Sequence, residues 1–200
     1  MTRCVYGIVL LCLLLGGLQA QPQTPAASGP LIVAAAKAQI GVTTTYDPAY
    51  VTLTYPGGDV PLNTGVCSDV VVRALRTVNL DLQKEVHEDM KANFARYPQN
   101  WGLKKPDKNI DHRRVPNLMR YFERKQISLA EKLAAPETYL PGDIVAWKLG
   151  NGLLHIGVVS AKKTGVTPLI IHNIGSGAKE ENVLFAYTVI GHYRIKGVVR

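Results

Sequence analysis

The chain has 200 residues, 46 % of them hydrophobic, and a formal charge of +8. That is room for one domain with its own core, and the absence of internal repeats or low-complexity tracts argues against a solenoid or a disordered chain. The basic balance favours anionic partners, but no basic run is interleaved with aromatics, which argues against nucleic acid.

Residues 1–20 have the pattern of a signal peptide. Arg3 supplies a positive start, Val5 to Leu18 an apolar stretch, and Leu18-Gln19-Ala20 a small-residue cleavage site before Gln21. The stretch is short for a membrane span, which needs ~20 apolar residues. The expectation is a cleaved leader, a periplasmic or secreted product and no stable membrane anchor, with an uncleaved anchor as the alternative. Losing Arg3 and no acid takes the charge from +8 to +7. An exported basic chain points to an anionic lipid or an anionic cell-wall polymer as partner. No interface signal stands out, so a monomer is expected.

Residues 21–28, rich in Pro, Ala, Gln and Ser, predict a flexible linker, and the domain is expected over 29–200. The pattern predicts helices over 30–40, 68–78, 82–97 and 116–125, with Gly41 stopping the first and Pro116 opening the last. Residues 42–64, with Tyr46, Tyr50, Tyr55, Gly57 and Gly58, form a long and therefore functional loop. From Tyr139 the period changes. Strands are expected over 144–149, 155–161, 169–173, 185–189 and 192–198, each rich in Val, Ile or aromatics and bounded by turn residues. Helices followed by strands give an α+β domain with an antiparallel sheet of about five strands.

Once the leader is gone, Cys67 is the one cysteine left, since Cys4 and Cys12 leave with it. An unpaired cysteine in an exported protein signals an intermolecular bridge or a reactive thiol. It stands where a Gly-containing loop meets a helix start, and the positive end of a helix favours a thiolate. Cysteine acyl transfer also needs a base and a group that orients it. His155, opening His155-Ile156-Gly157-Val158, is the candidate base. His172 is the candidate third residue with Asn173 as its rival, and alternation along a strand lets only one of them face His155. Asp69 is expected to point away from the sulfur, towards Arg73 or a neighbouring loop. No His/Cys/Asp cluster has metal-ligand spacing, so no metal and no cofactor are expected. His87 and His192 are assigned surface or structural roles.

These residues resemble the NlpC-type branch of papain-like cysteine peptidases, which cut amide bonds in bacterial peptidoglycan. The matching pattern is Tyr55, Gly57-Gly58, Cys67-Ser68, Gly142-Asp143, His155-Ile156-Gly157-Val158 and His172. The chain departs from it at Val66 and Asp69, where an acid and a glycine are usual, and in a helical, basic insertion over 84–135. The stretch from Ala36 to Tyr193 also resembles an uncharacterised family of exported bacterial proteins thought to share that fold. The segments concerned are Tyr46-Asp47-Pro48, Asp111-His112-Arg113-Arg114-Val115-Pro116-Asn117 and His172-Asn173-Ile174-Gly175.

The resemblance implies a papain-like fold and a cysteine amidohydrolase or peptidase, with stem peptides as the leading substrate. In it the Cys67 backbone N–H and the Tyr55 hydroxyl stabilise the oxyanion. Asp111, His112, Arg113 and Arg114 are candidates for gripping a substrate carboxylate. The alternatives are a non-enzymatic wall-binding or regulatory module that retains the fold, or a papain-like acyl hydrolase or transferase with another substrate.

Overall fold

The computed structural model describes Met1 and residues 28–129 and 135–196. The leader, the linker up to residue 27, residues 130–134 of the 84–135 segment and the end of the expected last strand lie outside these residues. Ser28, expected to end the linker, instead opens the first helix and is buried.

The domain is α+β: four helices precede a five-stranded antiparallel sheet. Helix α1 (Ser28–Lys37) buries Ile32, Val33 and Ala36. The long loop is bracketed by two short parallel strands, β1 (Thr45–Tyr46) and β2 (Thr64–Gly65). Polar bonds stitch it down, chiefly from Arg73, whose guanidinium donates to the Asp59 carboxylate (2.8 Å) and to the carbonyls of Val60 and Thr64.

Helix α2 (Cys67–Arg76) is the pivot of the fold. Val70, Val71, Ala74 and Leu75 are fully buried, and the helix packs on α1 and on the sheet. At its start, the Asp69 carboxylate accepts from the Val66 N–H at 2.7 Å. That satisfies an amide at the helix entry and sets a negative charge against the positive end of the dipole.

Helix α3 (Leu82–Asn93) is capped by Asp81, which accepts from the Gln83 N–H. It ends short of the expected Tyr97, in a 3-10 turn over residues 94–96. Pro98 is the reason: the residue before a proline is driven to extended backbone, and Tyr97 has φ −92° and ψ 157°. Helix α4 (Val115–Arg124) carries Pro116 in its first turn.

The sheet order is β6-β5-β4-β3-β7, with β3 Ile144–Lys148, β4 Leu154–Thr164, β5 Thr167–Asn173, β6 Ala178–Glu181 and β7 Thr188–Tyr193. Two expectations need correction. The two final strands are one, Thr188–Tyr193, and Phe185 sits exposed before it. The missing strand is β6. Its sequence, Ala-Lys-Glu-Glu, has no β-branched or aromatic residue, and it is a strand only because β5 pairs with it, His172 opposite Lys179.

Alternation gives the sheet two apolar faces. Ile144, Ala146, Ile156, Val158 and Ile171 pack with the helices. Val145, Trp147, Val159, Ile170 and Val189 pack with Tyr139 and Leu184 on the other side. Among the described residues no helix is long and apolar enough to cross a membrane.

Candidate active site

Cys67 opens α2 and is 4 % exposed. It is the free cysteine of the described residues. The helix approaches one sheet face and brings the thiol to the start of β4, where the Ile156 N–H bonds the sulfur. The β4–β5 ladder pairs Val158 with Ile171 but continues no further towards this end. The N–H groups of Ser68 and of Cys67 itself also point at the sulfur. Burial nevertheless dominates: it pushes the thiol up to about 11, with the charge of Asp69 adding to it and the three amides opposing it.

His155 lies one residue from that Ile156 amide, on the sheet face of Trp147, and is 3 % exposed. Its Nε2 meets Nδ1 of His172 at 2.9 Å. The alternation along β5 thus selects His172. Asn173 points the other way, its amide donating to the Gly65 carbonyl at 3.0 Å and tying β5 to the loop before Cys67. Burial, and then the charge of His172, pull His155 down to about 3. Burial therefore favours a neutral thiol at Cys67 and a neutral imidazole at His155.

The third ring is held in turn. His172 Nε2 lies 3.0 Å from Oε2 of Glu181 on β6. Nothing in the sequence reading marked Glu181, because its strand was invisible there. The pairing of the two ring nitrogens at 2.9 Å is that of imidazoles sharing a proton. Among the described residues no group of His, Cys, Asp and Glu is arranged to hold a metal ion.

The tyrosine expected at the sulfur is a different one. Tyr55 donates to Glu88 at 2.5 Å, edges against His87 and lies under Lys108. It lines neither hollow at the thiol or the imidazole. Tyr46 takes that place: its hydroxyl bonds the Cys67 side chain, and burial followed by the charges of Cys67 and Asp69 pushes it up to about 12. The resemblance counted back from Cys67 to the wrong tyrosine because the intervening loop doubles back, pairing Tyr46 with Gly65.

The segment 111–114 divides. Arg113 is structural: it grips Asp69 with Nε at 3.0 Å and Nη2 at 3.0 Å and donates to the carbonyls of Ala49 and Asp47. This answers where Asp69 points, to a neighbouring loop and not to Arg73. Ser68 adds to the seam by donating to the Arg113 carbonyl at 2.7 Å. Asp111 accepts from the Asp107 N–H and from Arg114, and burial pushes it up to about 6. His112 is buried with Nδ1 unpartnered, and burial followed by the Arg113 charge pulls it down to about 4. Asp111 and His112 do not line the Cys67 hollow, so their expected role as carboxylate grips is withdrawn. Arg114 keeps it. Its guanidinium lies 4.1 Å over the Trp101 ring, and both residues line the hollow of about 400 Å³ that opens on Cys67.

A second hollow of about 430 Å³ opens on His155 and is lined by Asn151, Ile174 and Tyr187 among others. Tyr46, Leu153 and Leu154 border both hollows, so the Cys67 hollow and the His155 hollow adjoin. Residues 33–195 match the family described as "Domain of unknown function (DUF1287)". The chain belongs to the DUF1287 family. It is 62 % identical over 161 residues to a protein of Escherichia coli (strain K12) titled "Uncharacterized protein YijF", covering 80 % of this chain and 78 % of that one. Every element of the cleft lies within the span matched to DUF1287.

Proposed function

We propose that this DUF1287 chain is a papain-like, NlpC-type cysteine hydrolase of the cell envelope that cuts amide bonds, with peptidoglycan stem peptides as substrate. The observation that carries the reading is the hydrogen-bonded His155–His172 pair, whose hollow adjoins, through Tyr46, Leu153 and Leu154, the one lined by the buried Cys67 thiol at a helix start. A nucleophile, a base and an orienting group then stand in the order that covalent acyl transfer requires.

In the proposed cycle, substrate enters the cleft and its carbonyl approaches the sulfur. His155 takes the thiol proton as the C–S bond forms, and the amides at the start of α2 with the Tyr46 hydroxyl stabilise the oxyanion. His155 then gives that proton to the leaving amine as the C–N bond breaks. Water, deprotonated by His155, opens the thioester, releasing the acid and restoring the thiol. Because burial keeps the resting pair neutral, attack and proton transfer are coupled instead of drawing on a standing thiolate. Arg114, stacked on Trp101 with donors left beyond its single Asp111 contact, suits the free carboxylates of stem peptides.

The test is digestion of purified sacculi, with Cys67→Ala in parallel and fragments identified by mass spectrometry. New fragments that need Cys67 support the reading and name the bond. Intact sacculi, with the protein folded, remove it in favour of another acyl substrate or a wall-binding module.

A further inference from the structure

Beyond the thiol and the two imidazoles stands a carboxylate that the proposed cycle has not used. Glu181 sits on β6, the edge strand, with its side chain 41 % exposed, and its Oε2 lies 3.0 Å from His172 Nε2. A carboxylate of this kind only accepts hydrogen bonds, so the proton between them belongs to His172 Nε2. A neutral imidazole carries one N–H, so His172 Nδ1 must then accept. The ring nitrogen facing it at 2.9 Å, His155 Nε2, must donate. That leaves His155 Nδ1 as the bare nitrogen. One carboxylate thus fixes the tautomers of two rings in series.

We propose that Glu181 is a positioning residue that sets the direction of this imidazole chain, so that His155 presents an unprotonated Nδ1 at the cleft. The inference rests on the reading of His155 as the base for Cys67, and it adds the residue that keeps that base able to accept. Around His172 the charged and titratable groups are Glu181 and Lys179 on β6 and His155 on β4; the Lys179 charge opposes that of Glu181. Without Glu181 the rings would be free to reverse, His172 donating from Nδ1 and His155 carrying its proton on the nitrogen that should receive the thiol's. Exposure of the carboxylate means that its replacement does not open the core.

The test reads the tautomers directly, by long-range proton–nitrogen correlation spectra of ¹⁵N-histidine-labelled protein at pH 7.5. The wild type is expected to carry the His172 proton on Nε2 and the His155 proton on Nε2. Glu181→Gln, whose side-chain carbonyl still accepts, keeps that pattern. Glu181→Ala mixes the two forms. Glu181→Lys, which can only donate, drives His172 to the Nδ1–H form.

Hydrolysis of sacculi is expected to fall about tenfold in Glu181→Ala and at least a hundredfold in Glu181→Lys, with Glu181→Gln restoring most of the rate. A wild-type His172 protonated on Nδ1, or one tautomer pattern shared by all four proteins, overturns the proposal. If the tautomers follow Glu181 as stated but Cys67→Ala leaves hydrolysis unchanged, the positioning role stands and the cysteine mechanism falls.

Discussion

Two buried histidines on one sheet, one paired directly with a carboxylate and one linked to a carboxylate through a second ring, stand in different surroundings. His192 on β7 lies 2.7 Å from Asp143, which also receives the Arg194 guanidinium at 2.7 Å and the Leu140 N–H at 2.9 Å. Its ring stacks on Tyr139, centroids 4.2 Å apart. Burial works to raise the Asp143 carboxyl, but the hydrogen bonds from Arg194 and His192 outweigh it and hold it below the usual range. Its Nε2 faces the Asp143 carboxylate, which is bound by Arg194 as well, and neither the Cys67 nor the His155 hollow touches it. His155 has the same burial but one imidazole partner, a carboxylate only at second remove, and a place in the wall of a hollow. A buried histidine with a carboxylate is therefore not by itself a reactive one. What separates the two is a nitrogen left uncommitted at a cleft.

The comparison breaks most sharply under mutation. His155→Ala should lower sacculus hydrolysis by at least about a thousandfold while leaving the denaturation midpoint within a few degrees, because the loss is chemical. Asp143→Asn should do the reverse. It strips the charge from a buried carboxylate that accepts from Arg194 and faces His192, and costs about 3 kcal/mol in urea unfolding, while the rate per folded molecule stays near that of the wild type. If Asp143→Asn abolishes hydrolysis in protein that remains folded, the division between structural and reactive cluster is wrong.

Acid sharpens the same point. His155 is held near 3 and His112 near 4, both below the 6.5 of a free imidazole. The unfolded chain takes up these protons first, so stability drains as pH falls from about 6.5 towards 4. Asp111, raised to about 6, works the other way, protonating first in the folded state and adding stability over part of that window. The two imidazole shifts are the larger, and the net expectation is a falling urea midpoint. His112→Gln should flatten the slope, removing roughly 3 kcal/mol of the acid-linked loss. A slope unchanged by His112→Gln would contradict this assignment.

The smallest effect belongs to the cleft wall. Arg114→Ala should raise KM about tenfold for carboxylate-bearing substrates with kcat nearly unchanged, the mark of binding lost equally from ground and transition state. An equal fall in kcat would move Arg114 from substrate binding to the chemistry.

Much of this was legible in the sequence where one local rule sufficed. Cys67 at a loop-to-helix junction, His155 at a strand start and the rule that only one of His172 and Asn173 can face His155 followed from composition, punctuation and period-two alternation, and the structure made it His172. The rest depends on where distant segments meet. Tyr46 and not Tyr55 reaches the sulfur because β1 pairs with β2, a contact across the long loop. Arg113 and Arg114 both line the Cys67 hollow, but the Arg113 guanidinium is committed to Asp69 and two backbone carbonyls, whereas Arg114 has a single carboxylate contact. Glu181 was hidden in a strand whose residues favour no strand, held in place by its partner.

The central claim, covalent acyl transfer through Cys67, is met most directly by partitioning with hydroxylamine. Sacculi are digested in its presence and the released acyl product is weighed by mass spectrometry. The account predicts a hydroxamate that grows with hydroxylamine at the expense of the carboxylic acid and disappears in Cys67→Ala. Release of the acid alone at every hydroxylamine concentration, or a hydroxamate that persists without Cys67, would contradict it.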